Sequence, residues 1–333
     1  MEQPNQRVGG HSQGAGASAQ AMDAGAVEAQ VASLRSYFAK HPGMRCLLIV
    51  DPSKRDLKEA GGAKGSLAEL ERAFIEVDHD GFPQAHRPYL IELDLTGRDG
   101  IERLTTSVRL AFEDRHPESM AGGLGQRIGG WLATSASASD VAEHWSRHIL
   151  QYDENRSAFV VRFYDSRALS LIWPILSERQ QQALMGPVNA WLTLDACAQP
   201  CIYTRAARSQ TALSLTSDQW QSIHRHGVIN RALALHAIDV GRQPLPPEIE
   251  VAAAAAARAE QYGLFDDDDQ VAFVGHALTW HPQFDLHPKV LEILGARAPK
   301  DFYTAAIEKL TSADVGAIRN GAWYDRLNTS ATR

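Results

Sequence analysis

Cysteine is scarce in this chain. Cys46, Cys197 and Cys201 are the only 3 among 333 residues, too few and odd in number for a disulfide framework. A reducing, cytoplasmic setting is the expectation. Long apolar runs are missing too: no segment reaches the ~18 consecutive apolar residues of a membrane span, so no membrane partner is expected. The first 24 residues have neither the basic start nor the apolar stretch of a secretory signal. Basic excess is also absent. The 33 Lys and Arg face 40 Asp and Glu, a formal net charge of −7, which argues against a nucleic-acid partner held through its phosphates. What remains is 44% hydrophobic, an ordinary globular composition, with length for roughly two domains.

Residues 1–24 are rich in Gly, Ala, Gln and Ser and read as a disordered tail, because they offer little apolar surface to offset ordering entropy. From Ala26 to Lys40 the apolar spacing turns helical. Arg45 to Asp51 holds the continuous run Cys46-Leu47-Leu48-Ile49-Val50, which suits a strand covered on both faces. Ser66 to Glu69 has capping-box spacing. Phe74–Val77, Pro88–Leu95 and Trp131–Thr134 read as extended, and Asp99–Glu113 and Asp140–Leu150 as helices. Phe159, Val161 and Phe163 alternate with Val160, Arg162 and Tyr164, the period of a strand. A helix then opens at Asp165, and Ser177 caps another that Gly186-Pro187 stops. Val188–Leu194 and Cys201–Thr204 read as strands. Beyond Thr216, itself the start of a capping box, almost everything is helical. Val271, Val274 and Leu278 share one helix face, Phe302, Ala306 and Leu310 another, and Asn320-Gly321 reads as a C-cap. The expected architecture is α+β or α/β: an N-terminal mixed-sheet lobe over residues 25–215, followed by an α-helical lobe over 216–333.

Tests for chemistry return little. Gly123, Gly125 and Gly129 miss the dinucleotide fingerprint by one residue, and Gly62-Ala63-Lys64-Gly65-Ser66 does not match a phosphate-binding P-loop. His144 and His148 stand at i, i+4, but no Glu follows His144 as a metalloprotease pattern requires. Cys197 and Cys201 lack the tighter spacing and second ligand pair of a zinc site. Asp78-His79-Asp80-Gly81 fits a turn as well as a metal or general-base site. Asp266–Asp269 fits an acidic helix start. No Gly-x-Ser-x-Gly elbow is present. The expectation is a non-enzyme with no catalytic residue, metal or cofactor. A metal-dependent hydrolase or nuclease using Asp78, Asp80 or His144 stands as the alternative.

One constellation remains: Arg162-Phe163-Tyr164-Asp165-Ser166-Arg167, at a strand-to-helix junction. It reads as a structural corner, with Asp165 capping the helix and an arginine supplying a charge-assisted hydrogen bond. The structural reading is the favoured one; the sharper alternative is a docking point for a protein, since Arg and Tyr are favoured interface anchors.

This stretch resembles the arginine-phenylalanine-tyrosine-aspartate-proline-arginine hallmark of the type VI secretion effector chaperones, a domain formerly of unknown function. The likeness takes in Leu48-Ile49-Val50-Asp51, Arg87-Pro88-Tyr89-Leu90, Gly130-Trp131-Leu132, His148-Ile149-Leu150 and Met185-Gly186-Pro187-Val188 with Trp191, in the family's order from about Arg45 to about Leu194. Ser166 departs from it, standing where proline is usual. The resemblance implies a bacterial adaptor that binds a toxic effector and helps load it onto a VgrG spike protein. It marks Arg162, Phe163, Tyr164, Asp165, Arg167, Gly186 and Pro187 as partner-binding or structural motif residues.

Overall fold

The computed structural model describes residues 13–57, 66–205, 212–298 and 300–331. The first lobe runs α1 (Gln13–Lys40), β1 (Arg45–Val50), β2 (Ala73–Phe74), β3 (Tyr89–Leu93), α2 (Arg98–Arg115), α3 (Pro117–Ala121), β4 (Ile128–Thr134), α4 (Ala138–Ile149), β5 (Leu150–Tyr152), β6 (Ala158–Val160), α5 (Ser166–Ile172), α6 (Glu178–Met185), β7 (Val188–Leu194) and β8 (Pro200–Thr204). Helices follow: α7 (Ser217–His224), α8 (His226–Val240), α9 (Pro246–Gln261), α10 (Asp267–Thr279), α11 (Pro288–Ala296), α12 (Tyr303–Ile307), α13 (Ser312–Asn320) and α14 (Ala322–Ala331). None of the described helices is long and apolar enough to cross a membrane.

Six strands form one sheet in the order β2-β3-β1-β4-β7-β8, and β5 pairs with β6 in a separate ribbon. Every pairing among the described strands is antiparallel, so of the two expected classes α+β applies. The apolar run of β1 is explained by where its side chains go. Leu47 and Ile49 enter one core, while Cys46, Leu48 and Val50 enter another, as the two-residue period of a strand demands. Helices α4, α5 and α6 close the first core through Trp145, Leu169 and Leu184. Helices α1 and α2 close the second through Leu34, Leu104 and Val108. Trp220 of α7 also packs into the first core.

Helices α8 to α13 and the segments between them build a third core around Val228, Ala255, Phe273, Phe284 and Tyr303. The alanine-rich stretch of α9 buries Ala252, Ala255, Ala256 and Ala259, small side chains that bring helices close. The two lobes are joined where Met120 of α3 packs on Ala234 and Ala237 of α8 and where the Gln243 side chain donates to the Arg115 carbonyl.

Most of the expected elements are present, with instructive departures. Helix α1 begins at Gln13, so Gln13–Ala24 of the stretch read as tail is helical, in keeping with the helix propensity of alanine and glutamine; residues 1–12 lie outside the described residues. Gly62–Gly65, weighed as a phosphate loop, also lies outside them. Ser66 makes no side-chain cap, and only a single 3₁₀ turn follows it. The capping boxes at Ser177 and Thr216 are formed. Gly321 closes α13 in the left-handed region at φ +73°. The strand read over Phe159–Phe163 stops at Val160, because the chain turns where Phe163 N–H bonds the Val161 carbonyl. The face read over Phe302–Leu310 is not one helix. Phe302 is 59% exposed, and α12 starts one residue later because the Asp269 carboxylate accepts from Tyr303 N–H at 2.7 Å and Thr304 N–H at 2.9 Å.

Candidate functional site

After β6 the chain makes a corner whose polar and apolar residues part company. Phe163 and Tyr164 turn inward and are buried, the Phe163 ring standing edge-on to Trp145 at 5.4 Å between centroids. Burial pushes the Tyr164 phenol up, so it stays neutral. Asp165 caps α5, accepting from Arg167 N–H at 3.0 Å, and its carboxylate also takes two bonds from the Arg167 guanidinium at 3.2 and 2.9 Å. Burial alone would raise the Asp165 pKa, but Arg167, Arg162 and Arg115 outweigh it and hold it below the usual carboxylate range. Arg162 points back across the sheet to Asp51, at the end of β1, with Nη2 to Oδ2 at 2.5 Å. The corner lies directly on β4: a Cβ at Gly129 would come within 2.0 Å of the Tyr164 carbonyl oxygen, so no larger residue fits there.

Ser166, standing where the resemblance leads one to expect proline, has its own work. Its buried hydroxyl accepts from Arg115 Nη2 at 3.0 Å, which a proline could not do. Arg115 is itself fully buried and also donates to the Leu194 and Asp195 carbonyls at 3.2 and 2.6 Å. Burial and nearby Arg167 pull its pKa down to about 10, leaving it charged at neutral pH. Beside it, the buried Asp114 carboxylate accepts from Arg127 N–H and Nη2, both at 2.7 Å, and from Arg55 Nη2 at 2.6 Å. Sequence reasoning overlooked Arg115 and Asp114. A signal existed: Arg115 continues the 4-3-4 spacing of Leu104, Val108 and Ala111 along the buried face of α2.

Gly186 and Pro187 sit away from this corner, at the end of α6. Gly186 has φ +52°, and a Cβ on it would lie 2.1 Å from His144 Nε2. That nitrogen pairs with the Ala183 carbonyl at 2.8 Å, while Trp145 Nε1 donates to the Leu184 carbonyl at 2.8 Å and Thr134 Oγ1 to that of Pro187 at 2.8 Å. Together these contacts tie α4 and β4 to the end of α6 and the residues just before β7. Burial and the neighbouring His148 pull His144 down to about 4, and it serves here as a packing group. Asp78 and Asp80 lie exposed in a turn closed by Gly81 N–H on His79 Nδ1 at 3.1 Å. No three His, Cys, Asp or Glu among the described residues gather as a metal-holding group. Cys197 and Cys201 are free thiols, and burial pushes each up to about 11. Asp266 performs the expected helix-start role, accepting from Asp268 and Asp269 N–H at 3.0 and 3.1 Å.

The polar side of the corner opens into a cleft of about 700 Å³ between the lobes. Arg162, Asp165 and Arg167 line it from the α+β side, and His226, Asn230 and Arg231 of α8 from the helical side. Motif residues and both lobes thus meet at one concave, cation-rich surface, the sort of place where ligands are taken.

No curated protein and no solved structure matches this chain. Residues 48–183, from within β1 to within α6, match the model of a family described as a domain of unknown function (DUF4123).

Proposed function

We propose that this chain is a non-enzymatic cytoplasmic chaperone or adaptor, which binds a type VI secretion effector and helps load it onto a VgrG spike protein. The match over residues 48–183 carries this reading, because that domain family is known from type VI secretion effector adaptors. The matched stretch includes the corner at 162–167, which faces a cleft shared with the helical lobe, while Gly186 and Pro187 lie just beyond the match. The mechanism is binding and release. An interface of standard size, over ~1,200 Å² in total, would hold the effector until assembly on the spike favours another state.

The test is co-purification from cells that carry the secretion system. The tagged chain should retain one effector and a VgrG-type spike protein. A folded chain that retains neither sinks the adaptor reading. Stoichiometric bound metal, with hydrolysis that disappears in Asp78→Ala or His144→Ala, would replace it with a metal-dependent enzyme.

A further inference from the structure

We propose that the cleft between the lobes is a docking site for an extended acidic peptide segment of a partner protein. Its carboxylates would meet Lys54, Arg162, Arg167 and Arg231, and its aliphatic side chains would lie against Ile172 and Ile223. The partner's identity rests on the adaptor reading; the chemistry of the cleft does not.

Charge complementarity selects this occupant. Four cations line the cleft against one carboxylate, Asp165, and that carboxylate is taken up by Arg167. Among the described residues, Arg162 spends only Nη2, on Asp51, Ser53 and more distantly Asp165, and Arg231 only Nη1, on Asp268. A guanidinium has five N–H donors in a fork shaped for carboxylates, so both keep donors to offer. Lys54 is exposed and has no ion-pair partner among the described residues.

The size and walls of the cleft are a second observation. At about 700 Å³ the space is that of a ligand pocket, suited to a few side chains and too small for a folded domain. Because α5 and α8 supply facing walls, an occupant would touch both lobes at once.

The experiment is fluorescence anisotropy on the full chain at low ionic strength, with a labelled hexapeptide alternating leucine and glutamate. The matched leucine–glutamine peptide is the control. The glutamate peptide should bind about tenfold or more tightly than the control, and Lys54→Glu and Arg231→Glu should each weaken it about tenfold. Gly227→Tyr should abolish binding: Gly227 lines the cleft, and a Cβ there meets nothing within 4 Å, so the ring fills the cleft without disturbing the core. Thermal melts should match wild type for all three variants. Equal binding of the two peptides, no binding of the glutamate peptide at millimolar concentration, or unchanged binding by a folded Gly227→Tyr each overturns the proposal. Capture of effector and spike separates the two readings. If Gly227→Tyr captures both as wild type does, the cleft proposal falls and the adaptor stands. If wild type binds the peptide but captures neither, the cleft stands and the adaptor falls.

Discussion

Arg162 Nη2 reaches Asp51 Oδ2 at 2.5 Å across 111 residues of sequence, tying the end of β1 to the corner before α5. The carboxylate is only 2% exposed, and the guanidinium 42%. Removing the arginine strands a buried charge that keeps the Ser53 N–H at 2.9 Å. For fully buried pairs such a loss costs about 3–5 kcal/mol, and the exposure of Arg162 reduces it. Arg162→Ala should therefore cost roughly 1–3 kcal/mol in urea unfolding, and adding Asp51→Asn should recover part of it. An unchanged unfolding midpoint in the single variant would show that the pair holds nothing together.

The hydroxyl of Ser166 makes a separate prediction. Hydrogen bonds to charged groups contribute about 1.5–3 kcal/mol, and Arg115 keeps two carbonyl acceptors without it. Ser166→Ala should lower stability by about 1–2 kcal/mol, read by thermal unfolding. Ser166→Pro gains the restricted backbone of a first-turn proline but loses the same acceptor, so it should not exceed wild type. A proline variant clearly more stable than wild type would mean that Arg115 does not need this partner.

Gly186 combines two costs that a mutant cycle can separate. Alanine there suffers both a positive φ and contact with the His144 ring. Strained backbone of this kind costs about 1–3 kcal/mol, and the clash adds to it. Gly186→Ala should be strongly destabilising. Placing it in a His144→Ala background should relieve the clash and leave the backbone share. Full additivity of the two substitutions would refute the contact.

The buried histidines set an acid limit. Burial pulls His226 down to about 4 from an ordinary value near 6.5. The unfolded chain therefore takes up the proton first as pH falls. Stability from this group is complete above about pH 6.5 and is lost progressively toward pH 4. His144, also near 4, acts in the same direction. Chemical unfolding at pH 7 and pH 5 should show wild type losing on the order of 1–2 kcal/mol through His226, and His226→Asn should lose less over the same interval. Equal losses in the two proteins would remove His226 from the account.

Local structure could be read from the chain wherever the signal itself was local. The unbroken apolar run of β1 announced burial on both faces, and Leu47 and Leu48 do enter different cores. Capping boxes at Ser177 and Thr216 announced helix starts, since each needs only a four-residue window. Asp165 as a helix cap was legible for the same reason. The partners of Arg162 and Asp114 were not, because side chains separated by 111 or 13 residues in sequence leave no periodic trace. The Phe302 reading failed for a related reason. Its spacing was helical, but Asp269 on α10 decided where α12 begins.

The strand order has a consequence for synthesis. β1 is flanked by β3 and β4, and β4 by β1 and β7. A chain emerging from its N-terminus can pair β1 with β3 early, but the outer edge of β4 stays open until Val188–Leu194 has been made. At about 5–20 residues per second that wait lasts on the order of several seconds. Throughout it, Trp131 and Leu132 lack their neighbours on β7, and an unpaired apolar edge is where nascent chains stick to one another. The helical lobe arrives later still. Expression at lower temperature, or a partner that meets the chain during translation, should therefore matter more to the yield of this protein than its final stability does.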